Sequence, residues 1–379
     1  MLSPNFLGNF IPRRLTELMS EIEAEMLARV AYYVRQYGRV TGTAEFLTLK
    51  AAQYELLHKD LARIVSKYSE KTAREITAVY AASAAKSIEA DNRLISGAAK
   101  SGAFRPMTSV YSAFSASAMK QTLNAAVERA VSIQNLTNTK CLQSALSAFT
   151  RATDKAYLSI VSGGRTFDGA YRQAIDELAA NGITVVEYTR DGKVLNFSVE
   201  GATRRNLITS VSQTVGKIQE QNLQRLGCNL VEVTSHAGAR PSHARWQGGR
   251  YWLGSPVRGY GSLVDICGYG QADGLCGINC YHGFGPFFEG YSQAAYIRDP
   301  AKRRLGIDND KLYELNQKQR YFERAIKDAK KRLAVYEAAG MKTEATAAAR
   351  LVRERQSRIR EFLAENPLLK RDYIRERIA

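Results

Sequence analysis

Residues 265–291, DICGYGQADGLCGINCYHGFGPFFEGY, set this chain apart from an ordinary helical protein. A glycine inside a helix costs ~1 kcal/mol relative to alanine, so one long helix through this stretch is excluded. Twelve of the chain's 28 glycines lie between Gly248 and Gly290, interleaved with Tyr, Trp and Phe. Such a composition predicts loops and short strands held by aromatic packing, or by something stronger than packing. Cys276 and Cys280 are four apart and His282 follows two later. Just upstream, residues 235–252 (SHAGARPSHARWQGGRYW) add His236 and His243. Of five Cys and four His, only Cys141 and His58 fall outside residues 228–282.

Cys-x3-Cys can place two thiolates on one metal ion in a tight turn, with Gly277 relaxing the backbone between them. His282 is close enough in sequence to add a third ligand. The fourth is His243, with His236 as its alternative; Cys267 is a weaker choice. For a mixed Cys/His set the natural ion is a structural zinc. The same residues also fit small buried cysteines with hydrogen-bonded histidines and no metal, and Arg240 with His243 also fits a phosphate contact. Trp246, Tyr251 and Trp252 read as core.

On either side of this module the pattern is helical. Leu15, Leu18, Met19, Ile22, Met26 and Val30 step by three and four, predicting an amphipathic helix over about 10–36. Ala-rich sequence without proline extends a second helix over about 44–103, and SGAFRPM breaks it. Two more helices are expected at about 109–135 and 139–161, and a short one at 168–180. ITVVEYTRDGKVLNFSVEG then reads as a β-hairpin turning at Asp191–Gly192. A helix ending at Gly227 and a short strand, NLVEVTS, follow it. From about 310 a helix runs to Ala339, Gly340 turns it, and another runs from Lys342 to about 364, giving an antiparallel helical hairpin. The expected fold is mainly α with a small α+β module. Its three parts are a helical region (1–181), a Cys/His module (182–300) and a basic helical hairpin (301–379).

The net charge is +17, and residues 301–379 carry more than half of the excess. A basic tail favours phosphate backbones or acidic protein surfaces through non-specific Coulomb attraction, although a solvated helix face carries the same signature. An odd cysteine count without an export signal argues against a disulfide framework. No stretch approaches the ~18–20 apolar residues of a membrane span, so a chain folding in a cytoplasm and binding no membrane is expected. GxxxxGK[ST], HExxH, GxSxG and the zinc-deaminase pattern are missing from the sequence. Catalysis is therefore not signalled.

The two blocks GARPSHARWQGG and GYGxxxGLCGINCYHxFxPFFEG resemble the phage minor capsid protein 2 family, itself related to the Mu F-like head morphogenesis proteins. The matching residues are His236, Arg240, Pro241, Ser242, His243, Trp246, Gln247 and Gly248, then Gly268, Gly270, Gly274, Cys276, Gly277, Asn279, Cys280, His282, Pro286 and Phe287. Tyr281 departs from a basic residue common in that family, and Cys267 is an addition. The resemblance implies a low-copy, non-enzymatic virion component, made in the host cytoplasm and seated near the portal or capsid interior. Portal or major capsid protein would be its partner, with packaged DNA as a non-specific contact. Two rivals remain. One is a metal-dependent hydrolase using His236, His243 and Asp265 or Asp273; the other is a stand-alone nucleic-acid-binding protein.

Overall fold

A computed structural model describes residues 1–35, 43–110, 117–190 and 193–378. After a π-helical turn at Phe6–Phe10, helix α1 spans Arg13–Arg35. Its six predicted apolar positions, from Leu15 to Val30, are all buried. Helix α2 runs unbroken over Thr43–Lys100, 58 residues, which at ~1.5 Å per residue is about 87 Å long. Mid-helix hydroxyls do not interrupt it, because they return to their own helix: Ser83 Oγ donates to the Val79 carbonyl at 2.6 Å.

The two helices expected over 109–161 are a single helix, α3, over Ser117–Val161. Polar residues around Asn135–Asn138 resemble a break in the sequence, yet they are absorbed. Thr137 and Thr139 donate to the carbonyls of Ile133 and Asn135, and buried Gln134 donates to Asn138 at 3.0 Å. Residues 111–116, where the first of the two would begin, lie outside the described residues. Helix α4 covers Phe167–Asn181, capped by the Thr166 hydroxyl and stopped at Gly182, whose φ of +59° suits glycine.

Strands β1 (Thr184–Arg190) and β2 (Lys193–Ser198) pair antiparallel as the expected hairpin, with Arg190 opposite Lys193. The Asp191–Gly192 turn itself lies outside the described residues. Helix α5 (Val199–Leu226) leads to β3 (Leu230–Val233). Then come a one-turn helix α6 (Pro241–Ala244), β4 (Arg250–Trp252), β5 (Gly261–Ser262), helix α7 (Leu263–Cys267) and β6 (Phe284–Pro286). Their sheet has the order β5-β4-β3-β6, with β3 antiparallel to both neighbours and β4 parallel to β5. Helices α8 (Pro300–Leu305), α9 (Asn309–Ala338) and α10 (Lys342–Glu365) complete the chain. Phe322 meets Phe362 while Arg355 donates to the Ala325 carbonyl, so α9 and α10 run antiparallel. The architecture is mainly α with one small mixed module.

Two compact units emerge, each assembled from three chain segments: 1–15, 73–132 and 204–317 in one, 16–72, 133–203 and 318–379 in the other. The first holds the four-stranded sheet. One of its cores joins β3 and β4 residues Val231, Val233 and Tyr251 to Leu223, Leu263, Leu275 and Phe284. A second core in that unit packs Leu7, Ile11, Tyr80, Ile88 and Val211. The other unit packs α1 and α2 residues such as Met26 and Leu61 against Phe149, Ile175 and Val335. Among the described residues no helix is long and apolar enough to cross a membrane.

Candidate metal centre

Where β3 ends and β6 begins, the Thr234 N–H donates to the Gly283 carbonyl and the Gly283 N–H donates to Thr234 Oγ1, both at 2.9 Å. This two-way bridge fixes the backbone directly beside His236 and His282. Opposite it, Pro241 opens α6 with its φ already helical, and the His243 N–H donates to the Arg240 carbonyl at 2.8 Å. Between α7 and β6 the chain folds tightly on itself. Leu275 N–H donates to the Cys267 carbonyl at 2.8 Å, Gly277 N–H to Gly274 at 3.0 Å and Cys280 N–H to Gly277 at 3.2 Å.

The glycine logic of this turn differs from the expected one. Within the stretch Cys276–Cys280 the left-handed positions are Cys276 (φ +60°) and Asn279 (φ +54°), not Gly277. Gly277 is required for another reason: a Cβ there would lie 2.5 Å from the Ala272 carbonyl oxygen and 2.6 Å from that of Gln271. The turn can close only because no side chain stands between these backbones.

Folding brings three of the expected ligands together. His243, Cys280 and His282 are all buried, and their donor atoms lie within 4.8 Å of one another. Cys280 Sγ is 3.7 Å from Nδ1 of His243 and 3.7 Å from Nδ1 of His282. Two ligands on one tetrahedral zinc, with Zn–S ~2.3 Å and Zn–N ~2.0–2.1 Å, stand about 3.6 Å apart. The spacing therefore suits one shared ion.

Hydrogen bonding at the far side of each ring fixes its tautomer. His243 Nε2 lies 2.8 Å from the Asp273 backbone carbonyl, which can only accept, so Nε2 carries the proton. His282 Nε2 lies 3.1 Å from Gln247 Oε1, and the backbone N–H of His236 donates to that same oxygen at 3.0 Å. A backbone N–H can only donate, so the Gln247 amide cannot be flipped, even though its Nε2 is buried without a partner among the described residues. His282 Nε2 is thus protonated as well. Both Nδ1 atoms keep bare lone pairs, and both face Cys280 Sγ. Ligating histidines carry this outer support, an N–H donated outward from the ring nitrogen not on the metal. Burial holds both imidazoles in the neutral, ligating form, His282 far below its ordinary range, and pushes the Cys280 thiol up. Cys280 Sγ also accepts the His282 N–H at 3.4 Å.

The other expected residues sit nearby. Cys276 is buried but outside the trio; its Sγ faces α5, where a Cβ on Gly216 would lie 3.2 Å from it. His236 is half-buried, its ring 4.7 Å from that of His282 and its Nδ1 3.2 Å from the Ala237 carbonyl. Cys267 lies in the core, its thiol pushed up to about 12 by burial. Asp265 and Asp273 are exposed and not among the grouped donors, although Asp273 contributes its carbonyl. Arg240 spends a guanidinium N–H on the Ile278 carbonyl at 3.2 Å. Trp246 and Tyr251 are buried, and the Trp246 ring lies 4.6 Å from His243 and 5.0 Å from His282. Sequence reading missed the supporting role of Gln247, which stood only as one residue of a matching block, and of the Asp273 carbonyl, which no side-chain motif can announce.

Fold and site together define a class: a mainly helical chain with one small glycine- and aromatic-rich module, centred on a buried His/Cys/His cluster that could hold a metal ion. A family model for phage minor capsid protein 2 matches residues 2–364, and the chain belongs to that family. It is similar to a structural protein of Lactococcus phage LL-H, 30% identical over 240 residues, covering 61% of this chain and 62% of that protein. It is also similar to a structural protein of Lactococcus phage mv4, 36% identical over 123 residues, covering 32% of this chain and 93% of that protein. The matched stretch thus spans less than two thirds of the LL-H protein. No solved structure matches. The family is the one that the two sequence blocks resembled.

Proposed function

We propose that this chain is a low-copy, non-enzymatic component of the virion, assembled in the host cytoplasm and seated at the portal or the capsid interior. Its role is in head morphogenesis, with a further part in packaging or delivering the genome. The observation that carries this reading is the family match over residues 2–364, joined to relatives that are themselves phage structural proteins. In this reading the long helices dock on portal or major capsid subunits. A structural zinc held by the Cys/His cluster staples the glycine-rich module, whose ordering otherwise costs ~1–2 kcal/mol of backbone entropy per residue.

Packaged DNA is the proposed non-specific contact, supported by the exposed cations of the C-terminal hairpin. Not every basic residue there is available. Lys327 pairs with Glu200, Lys331 with Glu23, Arg371 with Glu376 and Arg375 with Glu323. Arg350, Arg353 and Arg360 of α10 are exposed. Quantitative mass spectrometry of purified particles tests the proposal: the protein should be present at far lower copy than the major capsid protein. Abundance in infected-cell lysate with absence from mature particles would instead make it a transient assembly factor.

A further inference from the structure

Resting on the reading that a metal ion occupies the cluster, we infer that its protein ligands are Nδ1 of His243, Nδ1 of His282 and Sγ of Cys280, with Cys276 outside the coordination sphere.

Two features of the geometry, and the consequence they have together, carry this assignment. Each Nδ1 stands 3.7 Å from Cys280 Sγ, close to the ~3.6 Å that two ligands of one tetrahedral zinc require. Each ring's Nε2–H is committed to an oxygen whose role is fixed, the Asp273 carbonyl and the Gln247 amide. Without a cation the arrangement is frustrated, because a single S–H can satisfy one lone pair and leaves the other pointed at sulfur. A divalent ion resolves it by accepting electron pairs from all three atoms. The thiol proton leaves for solvent and both imidazoles bind neutral.

Cys276 does not share in this convergence. Its Sγ lies against Gly216 of α5 and 3.8 Å from the His282 backbone carbonyl, outside the grouped donors and in the apolar core with Leu263 and Phe284. A soft thiolate together with two imidazoles selects the zinc class of ion over magnesium or calcium, which favour oxygen. The fourth donor comes from outside the trio.

The test is cobalt(II) added to the full-length, metal-free protein, with X-ray absorption at the cobalt edge. One equivalent bound with a single sulfur in the first shell is the expected result. Cys276→Ala should keep that equivalent and the thiolate-to-cobalt charge-transfer band, whereas Cys280→Ser should lose both. Two sulfurs in the wild-type first shell would overturn the ligand set while leaving the metal reading intact. No binding by the folded wild-type chain would remove the metal reading itself. The absorption measurement needs no variant, so a misfolded Cys276→Ala cannot shelter the assignment.

Discussion

Gln247 Oε1 accepts from two groups at once, His282 Nε2 at 3.1 Å and the His236 backbone N–H at 3.0 Å. One amide oxygen therefore ties the segment that follows β3, the segment that leads into β6 and the tautomer of a proposed ligand into a single arrangement. Replacing Gln247 by Leu removes the acceptor and frees the His282 ring to take either tautomer. Metal affinity should fall ~10–100-fold, the usual effect of losing an outer partner of a ligating histidine. Loss of that acceptor from the half-buried His236 N–H should also lower stability, by about 1 kcal/mol. Chelator competition measures the first effect and urea unfolding of the metal-free protein the second. Unchanged affinity would mean that His282 does not bind through Nδ1.

Gly277 and Gly259 separate two reasons for a glycine. A Cβ on Gly277 would lie 2.5 Å from a backbone oxygen that cannot swing away, whereas Gly259 has φ +86° and nothing within 4 Å of its Cβ. Gly259→Ala should cost only left-handed strain, ~1–2 kcal/mol. Gly277→Ala must push apart the turn that carries Cys276 and Cys280, and should cost more, with ~3 kcal/mol at the upper end of ordinary overpacking. Thermal unfolding of the two variants side by side checks the order. Equal losses would show that the turn is slack.

Lys331 on α9 pairs with Glu23 on α1 at 2.8 Å, and the carboxylate is 2% exposed. Lys331→Met strands that charge and should destabilise by ~3–5 kcal/mol, while the double variant Lys331→Met/Glu23→Leu should recover most of the loss. Denaturant unfolding of the two variants decides it. A double variant no better than the single would mean that the pair contributes attraction beyond cancelling its own desolvation.

Much of the helical scaffold could be read in advance because burial of α1 follows spacing alone: Leu15, Leu18 and Ile22 point inward as their three- and four-residue steps require. The glycine-rich module was also legible, since no helix holds twelve glycines in 43 residues. Two things were not legible. The continuity of α3 depends on Gln134 and Asn138 finding each other in a buried setting, and sequence records their polarity but not their partners. Similarly, Cys-x3-Cys suggests two thiolates on one ion. The backbone takes a left-handed φ at Cys276, and its sulfur lies outside the His243, Cys280 and His282 group, a placement that residue spacing does not record.

Arg350, Arg353 and Arg360 are exposed on α10, and steps of three and seven keep them on one stripe of a helix with ~3.6 residues per turn. If that stripe meets packaged DNA, binding should ignore sequence and weaken steeply with salt as the benefit of counterion release declines. Deleting the whole hairpin is a poor test, because Lys327 and Lys331 anchor α9 to Glu200 and Glu23 and their loss would strand the buried Glu23 carboxylate. The triple variant Arg350→Gln/Arg353→Gln/Arg360→Gln leaves those anchors in place. The slope of log affinity against log salt should become shallower by ~0.9 for each arginine that had neutralised a phosphate. Fluorescence anisotropy on a random-sequence duplex across a salt series reads that slope directly. Slopes that coincide for wild type and variant would move the stripe from DNA to an acidic protein surface, and the same variant should then lose incorporation into particles while keeping its weak affinity for DNA.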